Sequence, residues 1–79
     1  MLSCEIEGCE NSAKYCIEWY GVNQYGENPY VVDERNVCEP HLVEGSVHED
    51  FGGVPDGIVD LESYKERPEL LEEVIKRLK

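Results

Sequence analysis

Four side chains of the types that bind zinc form two close pairs in this chain of 79 residues. Cys4 and Cys9 have four residues between them, and Cys38 and His41 have two. A structural zinc ion takes four sulfur or nitrogen donors, usually as two close pairs from distant parts of a chain. The spacing therefore predicts one structural Zn²⁺ ion bound by Cys4, Cys9, Cys38 and His41.

The residues within each pair favour side chains that face a common point. Gly8 can take the positive φ that a tight loop between Cys4 and Cys9 needs. Pro40 suits the first turn of a helix. A helix that begins there has Cys38 just before it and His41 in its first turn, and the three-residue spacing puts both on one face.

A β-hairpin is predicted between the two pairs. Residues 13–20 alternate in the period of a half-buried strand, with Tyr15, Ile17 and Trp19 on the apolar side. Residues 21–29 are rich in turn formers and predict a long loop. Residues 30–37 form the return strand, which a turn over 33–36 would interrupt.

The rest of the chain predicts short elements followed by one clear helix. Gly45 is expected to end the helix that Pro40 starts, and the capping-box spacing of residues 46–49 predicts another helical turn through Phe51. Residues 52–57 form a connector, and residues 58–61 a short edge strand. A helix over 68–79 is predicted because four apolar residues recur at i, i+3, i+4 and i+7: Leu71, Val74, Ile75 and Leu78.

These elements predict an α+β fold stabilised by zinc, in which residues 1–50 form the zinc-binding unit. Residues 51–79 add the connector and the C-terminal helix, which we expect to pack on the hairpin of the same domain. A helix that mediates a homodimer has the same amphipathic pattern. The oligomeric state therefore stays open.

A loop with two ligands, a hairpin, and a helix start with two more ligands is the order of parts in a treble-clef zinc finger. The chain resembles that family over roughly residues 4–45, and the resemblance implies the ligands Cys4, Cys9, Cys38 and His41. It is also similar to small bacterial and phage proteins that begin C-x4-C-x-x-x-A and end C-x2-H-L, here Cys4-EIEG-Cys9-ENS-Ala13 and Cys38-EP-His41-Leu42.

Other interpretations of the cysteines and histidines remain open at this stage. Two disulfides would use all four thiols, although we expect a cytosolic, reducing location because residues 1–4 lack the features of an export signal. The thiols could also be unpaired. Cys16 shares a strand side with Glu18 and is expected to be a spare thiol, the alternative being that it replaces Cys9 or His41. His48, beside Glu49 and Asp50, is expected to be a solvated, charged surface histidine.

The charge of the chain is strongly negative and unevenly spread. The net charge is −11, with fourteen acidic and two basic residues in 1–64 (net −12) and four acidic and five basic residues in 65–79 (net +1). Direct binding of DNA or RNA is not expected, because such binding depends on Lys and Arg. A protein partner with a basic surface fits better, although acidity can also serve solubility alone.

These observations favour a non-enzymatic, zinc-stabilised protein–protein interaction module located in the cytoplasm. Four protein ligands would leave zinc no open position for catalysis, and no phosphate-binding loop or nucleophile elbow is visible. No apolar run is long enough to span a membrane. One alternative is a phage-type inhibitor that imitates nucleic acid on a host DNA- or RNA-binding protein. Another is a metal-dependent nuclease or hydrolase that uses His48.

Overall fold

The computed structural model describes residues 2–21, 25, 29–50 and 54–78. Within them, a 3₁₀ turn at Glu39–His41 leads directly into the first helix. The regular elements are strands β1 (Tyr15–Gly21), β2 (Tyr30–Val37), β3 (Gly57–Asp60) and β4 (Lys65–Glu66), and helices α1 (Leu42–Gly45) and α2 (Pro68–Leu78). The fold is α+β, as predicted. Neither helix in the described part of the chain is long and apolar enough to cross a membrane.

The four strands form one antiparallel sheet in the order β2-β1-β3-β4. The short edge strand predicted over 58–61 is wrong in its position, because β3 lies inside the sheet between β1 and β4. The edge is taken by β4, which has only two residues and too little pattern to recognise in sequence. Residues 57–60 therefore belong to the same sheet as the hairpin.

Strand β2 has the predicted bounds but not the predicted interruption at 33–36, which pair continuously with β1. The one irregularity lies earlier: Trp19 is opposite Asp33 and Tyr20 is opposite Val31, so Val32 is an extra residue in β2. Such a β-bulge increases the local twist of a strand. Most of the loop predicted over 21–29 lies outside the described residues.

The alternation along β1 correctly predicts which side of the sheet is buried. Tyr15, Ile17 and Trp19 are 5%, 0% and 1% exposed. Helix α1 packs so closely on this side that a Cβ atom on Gly45 would lie 2.6 Å from Val37 Cγ1 and 3.4 Å from Ile17 Cδ1. Helix α1 therefore approaches the sheet at a position where only glycine fits without displacing its neighbours.

Helix α2 covers another part of the same side. Its main contacts are with β3 and α1, rather than with the β1–β2 hairpin on which it was expected to pack. Val74 is 1% exposed. Three leucines of α2 also pack against the core: Leu70, Leu71 and Leu78. The described helix ends at Leu78, and the predicted last residue, Lys79, lies outside the described residues.

The segment after α1 departs most from the sequence prediction. No helical turn forms over residues 46–50. The Ser46 hydroxyl donates to the Leu42 carbonyl of the preceding helix at 2.7 Å, so it does not cap a new turn. His48, predicted to be solvated, is 9% exposed, and its ring lies 4.8 Å from that of Trp19. Its Nε2 lies 2.6 Å from Asp33 Oδ2. Phe51, where the turn was expected to end, lies outside the described residues.

Candidate metal centre

The first two candidate ligands lie on a tight loop before β1. Gly8 has a φ of +83°, as the sequence predicted, in a turn closed by the Cys9 amide, which donates to the Ile6 carbonyl at 3.0 Å. The Cys4 amide donates to the Asn11 carbonyl at 2.9 Å and closes the loop at its base. This turn brings the side chains of Cys4 and Cys9 to the same side.

The second pair lies where β2 changes into the 3₁₀ turn. The Lys14 amide donates to the Val37 carbonyl at 2.8 Å and so fixes the end of β2. Cys38 is still extended, with φ −79° and ψ 166°. The His41 amide donates to the Cys38 carbonyl at 3.1 Å. The turn begins at the predicted place, and it puts Cys38 Sγ 3.1 Å from His41 Nδ1.

The two pairs meet in one group. Cys4 Sγ lies 3.7 Å from His41 Nδ1, and Cys9 Sγ lies 3.7 Å from Cys38 Sγ. All four donor atoms lie within 4.8 Å of one another. Tetrahedral zinc, with Zn–S about 2.3 Å and Zn–N about 2.0 Å, would space two sulfurs by about 3.8 Å and a sulfur and a nitrogen by about 3.5 Å. The group therefore matches the size of a tetrahedral metal site.

Two further residues contact this group. Asn11 Nδ2 donates to Cys38 Sγ at 3.7 Å, and Glu44 Oε2 lies 3.8 Å from the ring nitrogen of His41 that faces away from the sulfurs. Such outer contacts orient metal ligands and tune them. Sequence reasoning missed both residues. The only signal was the three-residue spacing of Glu44 from His41, which places side chains on one helical face.

The surroundings of the group favour the metal-binding form of Cys4. Burial by itself would raise the pKa of this thiol, but hydrogen bonds with the backbone of Cys38 and Ile6 and with the His41 ring lower it to about 6. The thiols of Cys4 and Cys38 raise the pKa of His41. Because zinc binds thiolate and neutral imidazole, a bound ion would displace the imidazole proton.

The opposite shift at Cys9 shows the cost of gathering three thiols. A hydrogen bond with the Asn11 backbone lowers the pKa of Cys9, but desolvation and the neighbouring thiols of Cys4 and Cys38 outweigh it, and the net shift is upward. A second thiolate is therefore unfavourable beside the first. A divalent cation would remove that repulsion, because it stabilises all the thiolates at once.

The remaining cysteine and histidine lie away from the group. Cys16 is buried at 7% exposure, on the other side of the sheet with Glu18 and Glu34. None of the four cysteines is in a disulfide. His48 is engaged through both ring nitrogens, since its Nδ1 accepts from the Asp50 amide at 3.1 Å while Nε2 faces Asp33.

Comparisons of the chain with protein-family models, with curated proteins and with solved structures gave no match.

Proposed function

We propose that the chain is a non-enzymatic protein–protein interaction domain whose fold is held by one structural Zn²⁺ ion. The observation that carries the proposal is the closed group of three sulfurs and one nitrogen, all within 4.8 Å. Thiolate and imidazole donors in a tetrahedral arrangement suit zinc, whereas calcium and magnesium prefer oxygen. The ligands would be Cys4, Cys9, Cys38 and His41.

The order of the parts supports a treble-clef-like arrangement over residues 4–45. A loop carries the first pair of donors, a hairpin of β1 and β2 follows, and the turn that enters α1 carries the second pair. Two residues of the hydrophobic core, Cys4 on the N-terminal loop and Cys38 directly after β2, are themselves donors. The ion would thus bridge the N-terminal loop to the centre of the core.

A structural role for the ion follows from the number of its donors. Catalytic zinc keeps a position for water or substrate, and four protein donors fill a tetrahedron. A nuclease or hydrolase would also need a free general base. His48, the histidine outside the group, is buried and bonded to Asp33 and to the Asp50 amide.

The charge of the chain supports a basic protein partner. A net charge of −11 on 79 residues would attract a positively charged protein surface and repel nucleic acid. Three thiolates with one Zn²⁺ would add a further −1. An inhibitor that imitates nucleic acid on a DNA- or RNA-binding protein is a special case of such a partner, and it would compete directly with that protein's nucleic acid.

Metal content in matched variants tests the ligand assignment. Native mass spectrometry is expected to find one zinc ion in the wild type and in Cys16→Ser, and none in Cys38→Ser. Cys16 is the matched control because it is a buried cysteine outside the group. Zinc lost from Cys16→Ser and kept in Cys38→Ser would overturn the assignment.

The salt dependence of binding tests the interaction class. Proteins captured on the immobilised, zinc-loaded chain at low salt should carry basic surfaces and elute as salt rises, because the screening length falls to about 3 Å at 1 M. Capture that survives high salt unchanged, or partners without basic surfaces, would contradict the proposal. A captured nucleic-acid-binding protein that is released by its own nucleic acid would support the inhibitor.

A further inference from the structure

One side of the sheet faces away from both helices. Alternation along β1 places Cys16, Glu18 and Tyr20 on that side. Across the β1–β2 pair, Glu18 is directly opposite Glu34. Glu66 of β4 shares the side, because its partner Val59 is itself opposite Cys16. We call this the open face, and its ionisable strand residues are Cys16, Glu18, Tyr20, Glu34 and Glu66.

Two like charges directly opposite one another in neighbouring strands are destabilising. Only neutral donors within the face offset the repulsion between Glu18 and Glu34 in the described structure. The Tyr20 hydroxyl donates to Glu18 Oε1 at 3.0 Å, and the Cys16 thiol donates to Glu34 Oε2 at 3.7 Å. One oxygen atom of each carboxylate and the Cys16 sulfur all lie within 4.8 Å of one another.

Two uncharged ionisable groups on this face, the Cys16 thiol and the Tyr20 hydroxyl, lie in a negative electrostatic field. Burial, followed by the charges of Glu34 and Glu18, raises the pKa of Cys16 to about 12. Burial and Glu18, with a smaller contribution from Glu66, raise the pKa of Tyr20 to about 12 as well. The charges that raise these two pKa values all belong to carboxylates. The surroundings of both groups are therefore negative.

The described basic residues lie elsewhere. Lys65 is opposite Asp60 on the helix side of the sheet, and Lys76 belongs to α2. The other basic residues contact groups away from the open face. Lys14 forms an ion pair with Glu39, and Arg35 donates to the carbonyls of Gly45 and Val47. Arg67 pairs with Asp60 and Glu69, and Arg77 pairs with Glu73. The charged residues of the open face are therefore all acidic.

We propose that the open face is the docking surface for a basic segment of a partner protein, with one arginine of that segment bridging Glu18 and Glu34. The inference rests on the proposed function and names the surface that performs it. Glu18 and Glu34 each have a carboxylate oxygen within 4.8 Å of the other's. The several N–H groups of one guanidinium can donate to both carboxylates. Arginine suits the place better than lysine because its planar fork also stacks on aromatic rings such as that of Tyr20.

The test compares two variants of equal net charge in the zinc-loaded protein. The open-face variant is Glu18→Gln, Glu34→Gln and Glu66→Gln. The control variant is Glu49→Gln, Glu62→Gln and Glu72→Gln, whose positions are exposed and lie outside the face. Zinc content and tryptophan fluorescence establish that both variants are folded. The probe is a labelled nona-arginine peptide, with nona-lysine in parallel.

We expect the open-face variant to lose about tenfold or more in affinity for nona-arginine at low salt, since truncating close charge pairs has large effects. The control variant should stay within about twofold of the wild type. Nona-arginine should bind the wild type more tightly than nona-lysine and should shift the amide resonances of Cys16, Glu18 and Glu34.

Three outcomes would overturn the inference, and they separate it from the proposed function. Equal losses in the two variants would show that net charge alone attracts the peptide, which leaves a basic partner but not this face. A second metal equivalent bound by the wild type and not by Cys16→Ser would assign the face to a metal ion. A wild type that binds neither peptide at low salt would contradict the proposed function itself.

Discussion

Removal of the metal should unfold the domain. The described core contains nine buried residues, two of which, Cys4 and Cys38, belong to the metal group. A single core at this chain length supplies about 3–5 kcal/mol, whereas structural zinc contributes about 10–16 kcal/mol at pH 7. The ion would therefore supply about two to five times what the core can, and the metal-free chain should be mostly unfolded.

The contacts of the loop indicate why it would depend on a bound ion. Few bonds join residues 4–9 to the sheet: the Glu5 amide donates to the Asn36 carbonyl at 2.8 Å, and the Asn36 amide donates to Glu5 Oε2 at 2.6 Å. Each such bond is worth about 1 kcal/mol. Without the ion, the thiols must reprotonate or repel one another, and these bonds are too few to hold the loop in place.

Tryptophan fluorescence provides the assay, because Trp19 is the one tryptophan in the chain and is 1% exposed. Addition of EDTA should shift its emission to the red, abolish the cooperative thermal transition and remove most of the far-ultraviolet circular dichroism. Zinc added afterwards should restore all three signals. A metal-free protein that keeps its emission maximum and its Tm would show that the fold does not need the ion.

Three further results are expected. Gly45→Ala should lower Tm, because overpacking against the enclosed Val37 costs about 1–3 kcal/mol and the gain in helix propensity is only about 1 kcal/mol. Tyr64→Asn should raise Tm by a few degrees, since Tyr64 has a φ of +57°, is 79% exposed, and asparagine tolerates this conformation better. Cys16 should react with iodoacetamide about a thousandfold more slowly at pH 8 than a free thiol, because its pKa of about 12 leaves little thiolate.

Controls make each of these results decisive. In a Val37→Ala background the clash is gone, so Gly45→Ala should no longer destabilise; an equal loss in both backgrounds would contradict the packing argument. Tyr64→Ala should not raise Tm. An increase in Tm equal to that of Tyr64→Asn would show that the exposed ring, rather than the backbone conformation, lowers the stability. The alkylation rate of Cys16 should still rise tenfold per pH unit between pH 9 and 10, where a free thiol has levelled off.

Local signals were sufficient to predict the parts that form the metal group. The turn at Gly8 and the helical start at Pro40 are each dictated by one residue whose backbone preference is strong. The alternation along β1 predicted its buried side because a side-chain period of two is unambiguous over seven residues. These features need no knowledge of distant neighbours.

The failures at His48 and at β3 share a cause, since each depends on a contact that the local sequence pattern does not show. His48 was expected to be solvated because Glu49 and Asp50 flank it, but its burial comes from Trp19 and Asp33, which precede it by 29 and 15 residues. The inner position of β3 depends on β4, whose two residues carry no periodic signal. Contacts of this kind depend on the tertiary fold, and the local sequence pattern does not predict them.

The placement of charge connects the metal to the proposed interaction. Glu18 and Glu34 repel one another across two strands, and such a pair costs stability. A domain of this size has little stability to lose if its core stands alone. If a zinc ion holds the loop to the core, as proposed, the fold would depend less on the surface of the sheet. That surface could then keep an unfavourable pair of carboxylates for the proposed partner to neutralise.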